Sequence, residues 1–526
     1  MSLRSPTLDD ARRELLERFG FADFLPGQAE TLQAVLEGRD ALAVMPTGGG
    51  KSLLYQLPAM MRVGLVVVAS PLIALMRDQL RALDALGLPA AALHSAEDDA
   101  DYEKARAGVA SGRIKLLYAA PERLAQEGTL DLLRRARVAL FAVDEAHCVS
   151  AWGHEFRPDY GRLKEIAAGL GDPPILAVTA SAGPRTRDDI IAKLFKRPPL
   201  VFVRSFARPR LRLAFRERRD ETRQLAHFLR AHRGESGVIY CGSRRKTEAL
   251  AQDLKAQGFA ALPYHAGLNA AERMENQDAF FARKGSVMTA TIAFGMGVDK
   301  PDLRFVAHAD LPGSVEGYYQ EIGRAGRDGR GADILTLCDR RELALRLMEP
   351  RGIELDEIAR GELSRRRAMA QLCLAHRCRM QALLEAFGET SAPCGLCDLC
   401  RGPLAWPRRA QSFALGLRVA IQGRALQALG GPSEEVLDGD DAQAALPLEA
   451  HETRAAPVLT VAQDRLLRAL YAARLRLARE RRLAPRKIAS DEALLALARG
   501  ARASAVEGIA PLDGAVFERV VDEAAH

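Results

Sequence analysis

The run Met45-Pro46-Thr47-Gly48-Gly49-Gly50-Lys51-Ser52 has the composition of a phosphate-binding loop. Successive glycines let backbone N–H groups turn inward around phosphate oxygens. A lysine then reaches the β- and γ-phosphates, and a hydroxyl ligates Mg²⁺. Lys51 and Ser52 are the residues for those two tasks. The strict pattern has glycine where this chain has Met45. A second constellation, Asp144-Glu145-Ala146-His147, closes the apolar run Leu140–Val143. Mg²⁺ favours one or two carboxylates together with phosphates and water. Asp144 suits the metal, and Glu145 suits polarisation of an attacking water. Far downstream, Gln320–Gly329 places Arg324 and Arg327 three apart. On a helix that spacing puts both on roughly one face. A cationic finger contributes about 10³–10⁵ in phosphoryl-transfer rate.

Two further groups carry chemistry of their own. Cys378, Cys394, Cys397 and Cys400 offer four thiolates, enough for a closed tetrahedral Zn²⁺ site of the structural kind. The other four cysteines, Cys148, Cys241, Cys338 and Cys373, are scattered, and Cys373 is expected to be a buried helix residue. Directly after His147, the stretch Cys148–Tyr160 sets Trp152, Phe156 and Tyr160 among His154 and Arg157, with Gly153 and Pro158 as breakers. Aromatic rings beside cations suit stacking on single-stranded bases, worth about 1–3 kcal/mol per base. Its place next to the carboxylates suggests a sensor that reports bound nucleic acid. Trp152, Phe156 and Arg157 are the main candidates, with His154 beside them.

Elements must hold these groups. Short apolar, β-branched runs at Ala41–Val44, Leu65–Ala69, Ile114–Tyr118, Leu140–Val143 and Ile175–Val178 alternate with helical patterns. That alternation predicts a doubly wound parallel sheet. Lys196-Arg197-Pro198-Pro199 reads as the end of the unit. A second alternating unit has strand candidates Gly237–Tyr240, Ser286–Thr289, Phe305–Ala307 and Ile334–Leu337. A helical, then Cys-rich stretch follows. Residues 403–457 lose periodicity and gain Gly, Pro and acids, as a linker or the remnant of a domain does. A helical pattern resumes from Leu459.

These motifs, in this order, resemble superfamily 2 helicases and specifically the RecQ family of DNA helicases. The resemblance spans about residues 15–400. It includes Phe24–Gln28, Met45–Ser52, Ser70–Leu75, Ala120–Arg123, Asp144–His147, Thr179–Ala182, Tyr264–Leu268, Ala293–Pro301 and Gln320–Gly329. Met45 is normal in that family. The resemblance implies two tandem RecA-like parallel-sheet lobes, 1–204 and 205–342, with ATP in the cleft between them. It implies a helical zinc-binding subdomain over 343–402, a linker or winged-helix remnant over 403–457, and a small HRDC-like helical bundle over 458–526. The overall class is α/β. A full winged helix needs about a hundred residues, so it is expected to be absent or reduced.

By resemblance, Phe21 stacks on adenine and Gln28 bonds its edge. Thr47, Gly48, Gly49, Gly50, Lys51 and Ser52 hold phosphate, with Ser52 and Asp144 on Mg²⁺. Asp144 and Glu145 act in hydrolysis, and His147 couples it to DNA. Gln320, Arg324 and Arg327 complete the site from the second lobe. The cofactors implied are ATP, Mg²⁺ and Zn²⁺. The activity implied is unwinding of duplex DNA, 3′ to 5′, in recombination and repair. The chain departs from the family pattern at Leu25, where Arg is usual, and at Ser181, where Thr is usual.

The 526 residues carry a net charge of +7, which favours a polyanionic partner. Single-stranded and partially duplex DNA is the expected partner, with single-strand-binding or recombination proteins beside it. No run reaches membrane-spanning length, so a soluble, intracellular protein is expected; a cytoplasmic, nucleoid-associated location and a monomeric state are expected as well. Three other readings stay open from sequence: an ATP-driven translocase that does not unwind duplex, an RNA helicase, and a nucleic-acid binder with a decayed nucleotide site.

Overall fold

The structure is a computed structural model. It describes residues 6–428 apart from 47, 62–63, 72, 95–98, 154–156, 295–299, 349–354 and 402–404, and beyond them Leu470, Ala473, Ala493, Leu494 and Leu497. Residues 1–432 form one compact unit and 433–526 a second.

In the first unit the chain builds two all-parallel sheets. The first has seven strands: β1 (Ala41–Val44), β2 (Leu65–Ala69), β3 (Ala90–Leu93), β4 (Leu116–Ala119), β5 (Val138–Val143), β6 (Ile175–Thr179) and β7 (Leu200–Val203), in the order β3-β4-β2-β5-β6-β1-β7. The second has six: β8 (Leu211–Glu217), β9 (Gly237–Tyr240), β10 (Ala260–Tyr264), β11 (Ser286–Ala290), β12 (Phe305–His308) and β13 (Ala332–Cys338), in the order β10-β11-β9-β12-β13-β8. The central strands β1, β2, β4, β6, β9, β11 and β12 are buried along their whole length. Helices cover both faces of such sheets, so their strands are continuous apolar runs.

Every strand expected from sequence is present, with ends shifted by a few residues. Four more strands, β3, β7, β8 and β10, are the edges of the two sheets. They are only partly buried, and β10 contains Pro263, which an edge tolerates because one side of its backbone is unpaired. The segment Lys196–Pro199 is therefore not the end of the first sheet, because β7 follows it and pairs with β1.

Phosphate-loop geometry follows from this order. β1 lies inside the sheet between β6 and β7, and the loop runs from its carboxyl end into the helix Leu53–Met61. β5, separated from β1 by β6, ends at Val143, one residue before Asp144. In open α/β sheets the crevice beyond the carboxyl ends of strands is the place for ligands.

After the second sheet come the helices Arg340–Leu347, Glu357–Leu374 and Arg379–Ala386 and the cysteine-rich loop. Residues 405–428 differ from the linker expected there: Ala405–Ala428 is a helix of 24 residues that packs against the helices Arg340–Leu347 and Glu357–Leu374. Its inner residues Ser412, Leu415 and Val419 are buried, spaced by three and four as one helical face requires. Apolar residues on its other faces hid that period in the sequence. In the second unit, the described residues Leu470, Ala473, Ala493, Leu494 and Leu497 are helical and buried. Among the described residues no helix is long and apolar enough to cross a membrane.

Candidate nucleotide site and its neighbours

Gly48 and Gly50 sit at φ of +82° and +68°, a region that residues with a Cβ rarely enter. A Cβ on Gly50 would lie 2.3 Å from Gln28 Nε2. Gln28 is buried, and its amide donates to the Gly50 carbonyl at 3.0 Å while its oxygen accepts from Leu25 N at 2.8 Å. It therefore braces the phosphate loop, and contact with a base requires it to exchange partners. The Phe21 ring, by contrast, is 57% exposed and open to stacking. Thr47 lies outside the described residues.

Lys51 Nζ donates to the Met45 carbonyl at 3.3 Å. Burial lowers its pKa, against the pull of Glu145 and Asp144. Burial and the adjacent Glu145 push Asp144 up to about 6, while Lys51 and a hydrogen bond from Tyr55 oppose the rise. Tyr55 Oη donates to Asp144 Oδ2 at 3.2 Å, and Tyr160 Oη donates to the Asp144 main-chain carbonyl at 3.1 Å. Both tyrosines are buried. Glu145 adopts φ of +47°, an uncommon backbone state for a residue with a side chain. Its carboxylate lies 3.3 Å from His147 Nδ1, which is also 2.9 Å from Thr179 Oγ1. Burial opposes a charge on His147, but Cys148 and Glu145 hold its pKa well above the ordinary value.

The second sheet contributes to the same place. Gln320 Nε2 donates to Ser181 Oγ at 3.3 Å, joining residues 139 positions apart. Arg324 lies in electrostatic range of Glu145, and Arg327 in range of Lys51. Among the described residues, Arg324 Nε is buried without a hydrogen-bond partner. Two arginines, one lysine and two carboxylates thus converge on one cleft. The positive-φ glycines and the orphaned guanidinium N–H fit a polyphosphate, which supplies acceptors for them. Ser52 and Asp144 fit a divalent cation held with that phosphate.

Beside the cleft lies the aromatic stretch. The guanidinium of Arg185 lies over the Trp152 ring at 3.1 Å from its centroid. Ser150 Oγ donates to Asp189 at 2.6 Å, so both contacts tie the stretch to the helix Pro184–Leu194. Arg157 Nη1 donates to the Pro71 carbonyl at 2.9 Å. A Cβ on Gly153 would lie 2.2 Å from the His147 carbonyl, which explains the glycine there. His154 and Phe156 lie outside the described residues.

At the metal centre, the sulfurs of Cys378, Cys394, Cys397 and Cys400 all lie within 4.8 Å of one another. Four sulfurs around one Zn²⁺ at about 2.3 Å stand about 3.8 Å apart, and Cys378 and Cys397 Sγ are 4.0 Å apart. Backbone N–H groups of Cys394 and Arg379 point at Cys378 and Cys397 sulfur, at 3.2 and 3.4 Å, as thiolates favour. The donor set fits zinc. Cys373 is buried in its helix, as expected. Arg379, next to the first of these cysteines, is a structural residue of the segment. It is 2% exposed, pairs with buried Asp398 at 3.2 Å, caps the Ala375 carbonyl at 2.6 Å and stacks over Phe215. Glu389 accepts from Ser205 Oγ and Phe206 N, so the zinc segment also grips the crossover between the sheets. Tyr55 and Tyr160 were missed as partners of Asp144. Their only signal was a hydroxyl within an otherwise apolar or aromatic run.

Two parallel-sheet lobes with a phosphate loop on one, an Asp-Glu pair beside it and arginines from the other define a two-lobed helicase fold. Residues 25–190 match the DEAD/DEAH box helicase family, 220–329 the helicase conserved C-terminal domain, 344–401 the RecQ zinc-binding family and 463–509 the HRDC domain. The fold is similar to that of the Mycobacterium smegmatis helicase Lhr bound to ssDNA and AMP-PNP, with a TM-score of 0.51 and 21% identity over 65% of this chain and 49% of that one. The chain is 41% identical to the ATP-dependent DNA helicase RecQ of Haemophilus influenzae, over 73% of this chain and 62% of that protein. It is 37% identical to Bacillus subtilis RecQ, over 75% of this chain and 67% of that protein. It is also 37% identical to the probable ATP-dependent DNA helicase RecS of Bacillus subtilis, over 66% and 71%. The chain belongs to the RecQ family. It spans about three fifths of the length of the Haemophilus and Pasteurella relatives, and it contains the family's zinc-binding segment.

Proposed function

We propose that this protein is an ATP-dependent DNA helicase that unwinds duplex DNA with 3′ to 5′ polarity, in recombination and repair. The observation that carries the proposal is the composite cleft, where Arg324 and Arg327 of the second lobe approach Glu145 and Lys51 of the first. A site completed only when two lobes meet converts nucleotide binding and release into lobe motion. Polarity and pathway rest on the family alone.

In this reading Lys51 and the backbone of Gly48–Gly50 hold the β- and γ-phosphates, and Phe21 stacks on the base. Bound Mg²⁺ neutralises phosphate charge and helps orient the transferred group. Ser52 and Asp144 are the residues that would hold it, and Tyr55 and Tyr160 keep Asp144 in place. Glu145, kept ionised by His147 and Lys51, accepts a proton from the attacking water. Arg324 and Arg327 stabilise charge developing on the phosphoryl oxygens, and the orphaned Nε of Arg324 is ready to donate. Trp152 and Arg157 report DNA to this centre. Separating a base-pair step costs about 1.4 kcal/mol, which fraying supplies, so hydrolysis chiefly sets direction.

The test is ATP-dependent strand separation of a short duplex with a 3′ single-stranded tail, with a 5′-tailed duplex and Lys51→Ala as controls. Separation of the 3′-tailed duplex alone is expected. Full DNA-stimulated ATPase with no strand separation would instead establish a translocase. Stimulation by RNA in place of DNA would overturn the choice of nucleic acid.

A further inference from the structure

The helix Glu357–Leu374, which leads into the zinc-binding cysteines, touches the aromatic stretch directly. Arg365 Nη1 donates to the Ala151 main-chain carbonyl at 2.6 Å across 214 residues of sequence. One turn earlier, Gly361 is buried against the same carbonyl, and a Cβ there would lie 2.6 Å from that oxygen. The helix therefore comes close to the loop because it has no side chain at 361, and the guanidinium then closes the contact.

Ala151 stands at a junction. On one side, Ser150 is bonded to Asp189 and Trp152 N donates to Ser150 Oγ at 3.1 Å, while the Trp152 ring lies under Arg185. Toward the cleft, Gly153 packs on the His147 carbonyl. On the third side stands half-buried Glu316, at the start of the helix Val315–Ile322 that carries Gln320. Glu316 is in electrostatic range of both Arg365 and His147. Burial raises its pKa, and those two cations oppose the rise. First lobe, second lobe and zinc subdomain thus meet around one peptide carbonyl, one residue before the loop's tryptophan and four after His147.

We propose that Arg365 is a positioning residue through which the zinc subdomain holds the Ala151–Gly153 segment, so that DNA reaching Trp152 moves His147 and the hydrolytic pair. Among the described residues, Arg365 has no hydrogen bond or ion pair to the phosphate loop. Its loss leaves hydrolysis without DNA intact and uncouples it from DNA. The zinc subdomain is then part of the signalling path as well as a structural staple. A lysine at 365 keeps a cationic donor but loses the planar, pre-organised guanidinium, so it restores part of the coupling. This inference rests on the proposed helicase function.

The experiment uses the full chain and measures ATPase without DNA and at saturating oligo-dT for wild type, Arg365→Ala, Arg365→Lys and Gly361→Ala. Zinc content and thermal melting are recorded for each. Losing a hydrogen bond from a charged donor predicts a fall in the stimulated-to-basal ratio on the order of tenfold for Arg365→Ala. Basal rate stays within about twofold and zinc content is unchanged, and Arg365→Lys recovers part of the ratio. Gly361→Ala gives the same uncoupling by pushing the Ala151 carbonyl away, and it carries the test should Arg365→Ala fold poorly. A wild-type ratio in both Arg365→Ala and Gly361→Ala overturns the inference, as does an equal loss of basal and stimulated rates. A wild type whose ATPase ignores DNA overturns the functional reading and this inference with it.

Discussion

Replacing Tyr55 by Phe removes one hydroxyl from behind the phosphate loop and leaves an aromatic ring against Tyr118. That hydroxyl donates to Asp144 Oδ2, so it favours the ionised carboxylate. A hydrogen bond to a charged group contributes about 1.5–3 kcal/mol, and about 1.4 kcal/mol is one pKa unit. Asp144, already pushed up to about 6 by burial and Glu145, should rise further. The rise is about one to two units. Protons and Mg²⁺ compete for the same oxygens, so the Mg²⁺ requirement grows as pH falls toward the raised value. At about pH 6.5 the variant should need roughly 3- to 25-fold more Mg²⁺ than wild type for half-maximal ATPase. At about pH 8.5 both carboxylates are ionised, and the two proteins should differ by less than about twofold. The assay is a Mg²⁺ titration of DNA-stimulated ATPase at both pH values. An unchanged requirement at the lower pH would refute the reasoning. An equal shift at both would show that the hydroxyl acts through packing and not through the carboxylate's proton affinity.

Arg324→Ala should lower DNA-stimulated ATP hydrolysis by about 10³ while a fluorescent nucleotide still binds, and hydrolysis at the wild-type rate would remove the residue from the reaction. Gly50→Ala forces a Cβ toward Gln28 Nε2 and a side chain into positive φ. Nucleotide affinity should fall by at least about tenfold, since the backbone penalty alone is about 1–2 kcal/mol; equilibrium binding of a fluorescent analogue checks it. Arg379→Ala leaves Asp398, 6% exposed, with Arg216 as its remaining cation and strips the carbonyl caps at Cys373 and Ala375. Breaking a buried pair in this way costs about 3–5 kcal/mol, readable as an earlier urea midpoint with loss of zinc.

What could be read from sequence was local or continuous. The phosphate loop announces itself because glycine, lysine and serine act within a few residues of one another. The four cysteines do so because three lie within one turn of chain and metal needs that spacing. Central strands of a parallel sheet are covered on both faces, so β1, β2, β6 and β9 appear as unbroken apolar runs. The edge strands were missed for the complementary reason. Each is only partly buried, and the selection for apolar residues is weaker there: β3 is Ala-Ala-Ala-Leu, and β10 ends in Pro-Tyr. The helix Ala405–Ala428 escaped because Phe413, Leu417 and Ile421 are exposed opposite its packed face, which erases the amphipathic signal.

Tertiary structure decided which of these motifs work together. Gln320 and Ser181 meet only because two sheets are set against each other. Gln28 turns out to brace the phosphate loop, since its buried side-chain amide donates to the Gly49 and Gly50 carbonyls. Tyr55 and Arg365 carry no motif at all, and Tyr160 belongs to the aromatic stretch with nothing that marks it as a partner of Asp144. Their importance lies in one hydroxyl or one guanidinium reaching a partner elsewhere in the chain, and a sequence records the donor without recording what folding brings within hydrogen-bond reach of it. Residue types and spacing thus fixed the chemistry available to this protein, and the packing of two lobes and a zinc subdomain around Asp144 and Ala151 fixed its wiring.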